Sequence, residues 1–234
     1  MSGKHLKEVA EISGAVYFQG AEILIGDDSN LLYIYQEQKI QQNIKIPGGL
    51  QDPEGICIMT QDKNKSKFAI YGDGIITIIQ LNINKGRFVL RPNYSKKYEV
   101  PFREKKKIES LEYNPQKKLF VLIDRRKKDN YNLGSGVIYE YNPINNKLIN
   151  TNARIGKEEN KNDCKPTDMI RKTDRYYILT EEKIFTLNLN YQELEQQKIA
   201  RIKDAEAIYL KDNHYVIFID QAKAERKAKS IAKS

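Results

Sequence analysis

Short runs of β-branched and aromatic residues, cut by Gly, Pro, Asn and Asp, recur along almost the whole chain. Their alternation has the period of strands, and no segment of the main body keeps the apolar spacing of a helix. The runs predict strands at 14–18, 22–27, 31–36 and 40–46, then at 54–59, 67–72, 75–81 and 97–102, with an excursion through 87–90. They continue at 109–113, 119–124, 137–141 and 147–155, and at 168–171, 176–181, 184–189 and 196–202. A last pair falls at 206–210 and 215–220.

One phrase opens each group. A Ser, Thr or Glu precedes an apolar strand at Ser13, Glu54, Glu109, Thr167 and Glu206, and the next strand returns to an acid at Asp27, Asp73, Asp124, Glu181 and Asp220. Successive openings (13, 54, 109, 167, 206) are 41, 55, 58 and 39 residues apart. A propeller blade of four short antiparallel strands takes roughly 40–50 residues, and longer intervals mark loop insertions. The fold predicted is all-β: a five-bladed β-propeller with four-stranded antiparallel blades over residues 1–220. The third strand of the last blade is missing from the pattern, and the N-terminal segment 6–12 is expected to close that blade. Residues 221–234 form a basic tail, helix-prone or disordered by composition.

The formal net charge of +9 points to nucleic acid only weakly. Lys outnumbers Arg 30 to 10, and Arg is the better ligand for phosphates and bases. Four of the net charges lie in the tail, where five Lys or Arg stand against Glu225. Nucleic acid is therefore disfavoured as a partner. No apolar run approaches the ~20 residues that span a bilayer, so no membrane span is expected. Met1 to Glu11 holds no apolar leader, so the chain as written reads as cytoplasmic, or as periplasmic or envelope-associated if a leader or anchor was removed. Cys57 and Cys164 lack metal-binding spacing, and His5 and His214 are the only histidines. Zinc of the usual His/Cys type is excluded, as is a phosphate-cradling glycine loop, so no nucleotide or organic cofactor is expected.

The phrases Asp52-Pro53-Glu54-Gly55-Ile56, Lys165-Pro166-Thr167-Asp168-Met169 and Asp204-Ala205-Glu206-Ala207-Ile208 resemble the "PEGI", "PSDL" and "AEGI" blade openings of the SdiA-regulated family of bacterial propellers. Leu31-Leu32-Tyr33-Ile34-Tyr35 and Val137-Ile138-Tyr139-Glu140-Tyr141 resemble its "LYxYD" third strands. The resemblance covers residues 11–220 in blade order, in a style shared with NHL-like propellers. It implies a five-bladed propeller, commonly on exported or envelope-associated proteins, with no settled activity. The chain departs from the family in having no N-terminal export segment as written and no clear final third strand.

In a propeller the start of the first strand and the end of the second share one rim. Glu54, Glu109 and Glu206 are thus candidate metal ligands, with Asp73 and Asp124 as weaker ones and Glu54 and Glu206 foremost. Acids are 31 of 234 residues, so an acid at five of five returns exceeds background. A ring of oxygens suits Ca²⁺, which takes six to eight oxygen ligands at about 2.3–2.6 Å. The competing structural reading is that these carboxylates accept backbone N–H bonds between blades. The run Arg125-Arg126-Lys127-Lys128 is a weaker candidate for gripping an acidic partner.

Three functions follow. The leading one is a non-catalytic module that binds a protein or small-molecule ligand, with Ca²⁺ on the acidic rim as an option. The first alternative is a Ca²⁺-dependent hydrolase of an ester, lactone or phosphoester. It lacks a histidine base at any strand opening. The second alternative is an electrostatic nucleic-acid binder.

Overall fold

Tight turns set the path of the chain. Both central residues have positive φ in the pairs Gln19-Gly20, Glu37-Gln38, Asp73-Gly74 and Lys85-Gly86. Two such residues make a type I′ hairpin, whose twist matches that of the strands it joins. The computed structural model describes residues 9, 12–26, 28–103, 107–125, 136–155, 165–180, 183–199, 205–212 and 214–219, and its regular structure is entirely β. Among the described residues no helix is long and apolar enough to cross a membrane.

Four consecutive meanders form four-stranded antiparallel sheets. The first comprises β1 (Ile12–Phe18), β2 (Ala21–Gly26), β3 (Leu31–Gln36) and β4 (Lys39–Lys45). The second comprises β5 (Pro53–Gln61), β6 (Lys65–Gly72), β7 (Ile75–Asn84) and β8 (Arg87–Glu99). β9 (Ile108–Asn114), β10 (Leu119–Asp124), β11 (Val137–Asn142) and β12 (Lys147–Arg154) make the third. The fourth is β13 (Pro166–Lys172), β14 (Arg175–Thr180), β15 (Lys183–Asn188) and β16 (Glu193–Lys198). A fifth, small sheet pairs β17 (Ala205–Lys211) with β18 (His214–Ile219).

The first strand of every sheet is innermost. β1 packs on β5, β5 on β9, β9 on β13, β13 on β17, and β17 returns to β1. Five separate apolar clusters fill the gaps between neighbouring sheets, the last joining Ala207, Tyr209, Val216 and Phe218 to Ala15, Leu24 and Tyr33. Each inner strand therefore feeds two cores, its alternate side chains pointing to opposite neighbours. Phe18 of β1, for instance, meets Phe68 of β6 edge-on with centroids 5.6 Å apart. The protein is an all-β β-propeller: four four-stranded blades and a fifth two-stranded sheet around one axis.

Every inner strand opens with a β-bulge. The register skips Ser13, Glu54, Glu109, Thr167 and Glu206, each of which lacks an opposite residue in the second strand. These are the five residues of the repeated phrase. A bulge adds one residue, tightens the twist and re-aims a side chain. The next position in the five strands is Gly14, Gly55, Ser110, Asp168 and Ala207. Small residues dominate because neighbouring inner strands nearly touch there. A Cβ on Gly55 would lie 2.7 Å from the Leu111 backbone nitrogen.

Two outer strands differ from the expected boundaries. Pro92 and Asn93 break the sequence pattern, yet β8 continues through them, because Arg91–Tyr94 bulge out opposite the single residue Gln80. Asn93 takes a positive φ of 55° there, and a proline on an edge strand removes no ladder bond. β16 starts at Glu193 rather than Gln196. It is a solvated edge with little apolar signal, so Ile199 and Ile202 drew the expected boundary too far along the chain.

The close approach at Gly55 gives a direct test. Gly55→Ala adds a methyl against backbone that has no flexible end to yield, and overpacking of this kind costs about 1–3 kcal/mol. The melting midpoint should fall by roughly 3–10 °C for a chain of this size. In Gly14→Ala the new methyl meets only side-chain atoms, 3.1 Å away, and the fall should be smaller. Thermal unfolding of the two variants side by side checks the ordering.

Candidate functional site

The bulges carry the predicted rim residues to one end of the inner strands, where their environments diverge. Ser13 is buried and its hydroxyl donates to the Pro53 carbonyl of the next blade. Thr167 is buried, while Glu54 and Glu206 are half-buried and each is engaged by a neighbour. Glu109 is 5% exposed and neutralised from two sides: Arg125 Nη1 lies 3.1 Å from Oε2 and Lys107 Nζ 3.2 Å from Oε1.

Asp124 belongs to the same local group, its Oδ1 accepting the Lys107 N–H at 3.2 Å. The structure thus brings Glu109, Asp124, Lys107 and Arg125 together. It places Asp73 in the exposed β6–β7 turn, with φ of 44°. An aspartate tolerates that conformation, and this accounts for the acid at that return. Asp27, Glu181 and Asp220 lie outside the described residues, as do Arg126, Lys127, Lys128 and the tail 221–234. Among the described residues no group of three or more His, Cys, Asp or Glu side chains is placed to hold a metal ion.

Two further buried carboxyls, Asp168 and Glu112, are ones the opening phrase did not single out. Asp168, 2% exposed, sits just after its bulge and accepts three hydrogen bonds. They come from the Ser110 hydroxyl of the third blade (3.0 Å), the Met169 N–H (2.7 Å) and the Ile208 N–H of the fifth sheet (2.8 Å). One side chain thereby ties three sheets near the axis. Glu112 is a neighbour on the third blade's face toward the fourth. It accepts the Tyr113 N–H at 2.8 Å and, across the seam, the Arg171 N–H at 2.9 Å. Asn114 completes the polar stripe by donating to the Tyr176 hydroxyl at 2.9 Å.

Burial pushes the Glu112 carboxyl up to about 8, against the pull of its two N–H donors and of Arg171. Burial likewise raises Asp168 well above the carboxylate range; its three donors oppose the shift, and the charge of Glu112 adds to it. Cys57, on the adjacent inner strand, is a buried thiol raised by burial and then by Glu112. A signal for both acids was present in the sequence. Asp168 stands in the column Gly14, Gly55, Ser110, Ala207, and Glu112 in the column Val16, Cys57, Ile170, Tyr209. Each is the one charge in a small or apolar column.

The ring closes through a similar contact. The buried Tyr209 hydroxyl donates to Glu22 Oε1 at 2.7 Å, and Lys211 Nζ approaches the same oxygen at 3.7 Å. Tyr209 also stacks on Tyr17, with centroids 6.0 Å apart. On the perimeter between the first two blades, Gln42 of β4 accepts the Phe88 N–H at 3.2 Å and donates to the Phe88 carbonyl at 2.5 Å. A cleft of about 320 Å³ opens beside it, lined by Ile34, Gln36, Gln41 and Arg87 among others.

No protein-family model matches the chain, and no curated protein sequence does. Solved structures match in fold. Glutaminyl cyclase of Myxococcus xanthus superposes with a TM-score of 0.56 at 9% identity, covering 89% of this chain and 85% of that one. A protein of unknown function from Bacteroides caccae gives 0.51 at 13% identity, covering 91% and 72%. Another of unknown function, from Bacteroides thetaiotaomicron, gives 0.51 at 11%, covering 94% and 68%. At these identities the likeness establishes the propeller fold alone.

A carboxyl whose folded-state pKa is raised is stabilised in its protonated form. Its contribution is complete below the unfolded value of 4.5 and is lost as pH rises through about 8. The melting midpoint should therefore decline across that window. Glu112→Gln, which holds no proton to lose, should show a shallower decline than the wild type. Thermal unfolding at a series of pH values checks the difference in slope.

Proposed function

We propose that the protein is a binding module, a propeller that presents its surface to a ligand or partner and carries out no reaction of its own. The observation that carries this reading is the use made of its interior acids. Asp168, Glu112, Glu109, Asp124 and Glu22 each accept bonds or ion pairs from defined donors, and Asp168, Glu112 and Glu22 do so across sheet boundaries. A general base or a metal ligand must offer its lone pairs to substrate or ion. These carboxyls direct theirs at the fold.

The finer architecture is part of the same proposal. The fifth sheet reads as the fifth blade; of the segment 6–12 expected to close it, residues 6–8, 10 and 11 lie outside the described residues. Val9 supports the reading: it is 2% exposed and packs in the cluster that holds Tyr209, Val216 and Phe218.

The alternative, a Ca²⁺-dependent hydrolase, is separated by one experiment. Protein stripped with EDTA is unfolded thermally with Ca²⁺ or Mg²⁺ added back, and aryl esters, lactones and phosphoesters are assayed under the same conditions. The binding-module reading expects no ion-dependent rise in the midpoint and no turnover. An ion bound to the native state raises the midpoint with concentration. A Ca²⁺-dependent rise with steady turnover, both lost in Glu54→Gln and Glu206→Gln, would establish the hydrolase instead.

A further inference from the structure

Among the described residues, a cation lies over a tyrosine ring at three seams of the ring. Between the fifth sheet and the first blade, Lys211 Nζ is 4.9 Å from the centroid of Tyr17. Between the third and fourth blades, Lys117 Nζ is 5.4 Å from that of Tyr191. Both units are completed by a carboxylate of the chain. Glu22 stands 3.7 Å from Lys211, and Glu140 stands 2.8 Å from Lys117 while also accepting the Tyr191 hydroxyl at 2.7 Å.

The third unit lies on the second blade's face toward the third. Lys67 Nζ is 5.6 Å and the Arg91 guanidinium 5.4 Å from the centroid of Tyr94. It has two cations where the others have one, and among the described residues no carboxylate pairs with either. The fold nevertheless holds it in place. Arg91 and Tyr94 belong to the bulge of β8, and the buried Gln80 accepts from Arg91 Nη1 at 3.3 Å while its amide donates to Asn82 at 2.9 Å. Lys67 projects from an interior strand and its charge reaches Tyr113 of the third blade.

Edge lysines commonly guard a sheet against pairing. Lys67 is not on an edge, and Arg91 is held against the face of the sheet by Gln80. Two like charges sharing one ring repel each other, and a shared anion relieves the repulsion.

We propose that the Lys67–Arg91–Tyr94 unit is a binding site for a carboxylate supplied from outside, the acidic side chain of an extended peptide segment of a partner. It rests on the binding-module reading and names the partner class. A guanidinium fork takes a carboxylate in two parallel bonds, and the neighbouring ammonium adds the second charge. A peptide is favoured over nucleic acid for two reasons. Both cations already lie over Tyr94, so the ring offers no open platform for a base. β8 is also the outer edge of its sheet; no strand pairs with its outward side among the described residues, although Gln42 takes the Phe88 main chain. An extended segment can add there by backbone hydrogen bonds while its acids meet the cations.

The test is fluorescence anisotropy of the full chain with a labelled oligoglutamate peptide of about ten residues, the upper range of an ordinary strand. Oligo-dT of the same length is the comparison, and both are run at low and physiological salt. Lys67→Ala with Arg91→Ala should weaken peptide binding about tenfold or more, equivalent to some 1.4 kcal/mol. Lys147→Ala with Lys198→Ala, the same charge removed from other exposed edges, should change it less than about twofold. Tyr94→Phe should keep binding, because the ring face remains, and Tyr94→Leu should lose it. Unchanged melting midpoints show that the variants are folded.

Equal weakening by the two charge-removing pairs would overturn the site, as would absence of peptide binding. Tighter binding of oligo-dT, lost on removing Lys67 and Arg91, would replace it with a nucleic-acid site. None of these results would by itself revive catalysis, which is judged by turnover.

Discussion

Five inner strands converge on one axis, each packed between two others. At Gly55 the approach reaches backbone, a Cβ there lying 2.7 Å from the Leu111 nitrogen. The bulges follow from this constraint. A strand that must twist sharply while its neighbours close in from both sides gains the extra twist from one unpaired residue. Small residues next to the bulge leave room for the neighbouring inner strand, as at Gly55, and the alternate side chains beyond it divide between two cores. Ring closure needs no covalent staple, because β17 packs on β1 as β1 packs on β5.

The same crowding explains where the acids went. Asp168 occupies a position that is otherwise Gly, Ser or Ala, so its carboxyl is forced among donors of three sheets, the Ser110 hydroxyl and the Met169 and Ile208 N–H groups. Burial without those donors would be prohibitive, and with them it converts a desolvation penalty into a specific cross-link. The raised pKa values of Asp168 and Glu112 show the penalty only partly offset, each carboxyl being held nearer its neutral form. That chemistry stabilises a ring.

Much of the propeller was legible in the chain because blades repeat and hydrophobic runs with turn residues are local signals. The five-fold phrase was legible too, but its meaning was not. A Ser, Thr or Glu before an apolar strand does not announce a bulge, which the skipped register at Ser13, Glu54, Glu109, Thr167 and Glu206 shows. Nor do Lys107 and Arg125 announce in the sequence that they fold back onto Glu109. The columns mark Glu112 and Asp168 but not their partners: Arg171 and Ile208 lie 59 and 40 residues away, beyond any local pattern.

Net charge was the least informative quantity in the sequence, and the structure shows why. A sum of +9 suggests a uniform cationic coat. Many of the cations are instead committed: Lys107 and Arg125 to Glu109, Lys117 to Glu140, Lys211 to Glu22, and Lys97 to the Gly48 carbonyl. The Glu109 and Glu140 pairs form within the third blade, while Lys211–Glu22 and Lys97–Gly48 join different blades. Once the committed charges are removed, what distinguishes one cationic site from another is the support around it. A lysine on a solvated edge keeps its hydration and its freedom and contributes little to recognition. A guanidinium fixed by a buried amide and a tyrosine ring has already given up that freedom, so an incoming carboxylate meets a preorganised fork. Position and support decide what the charge can recognise.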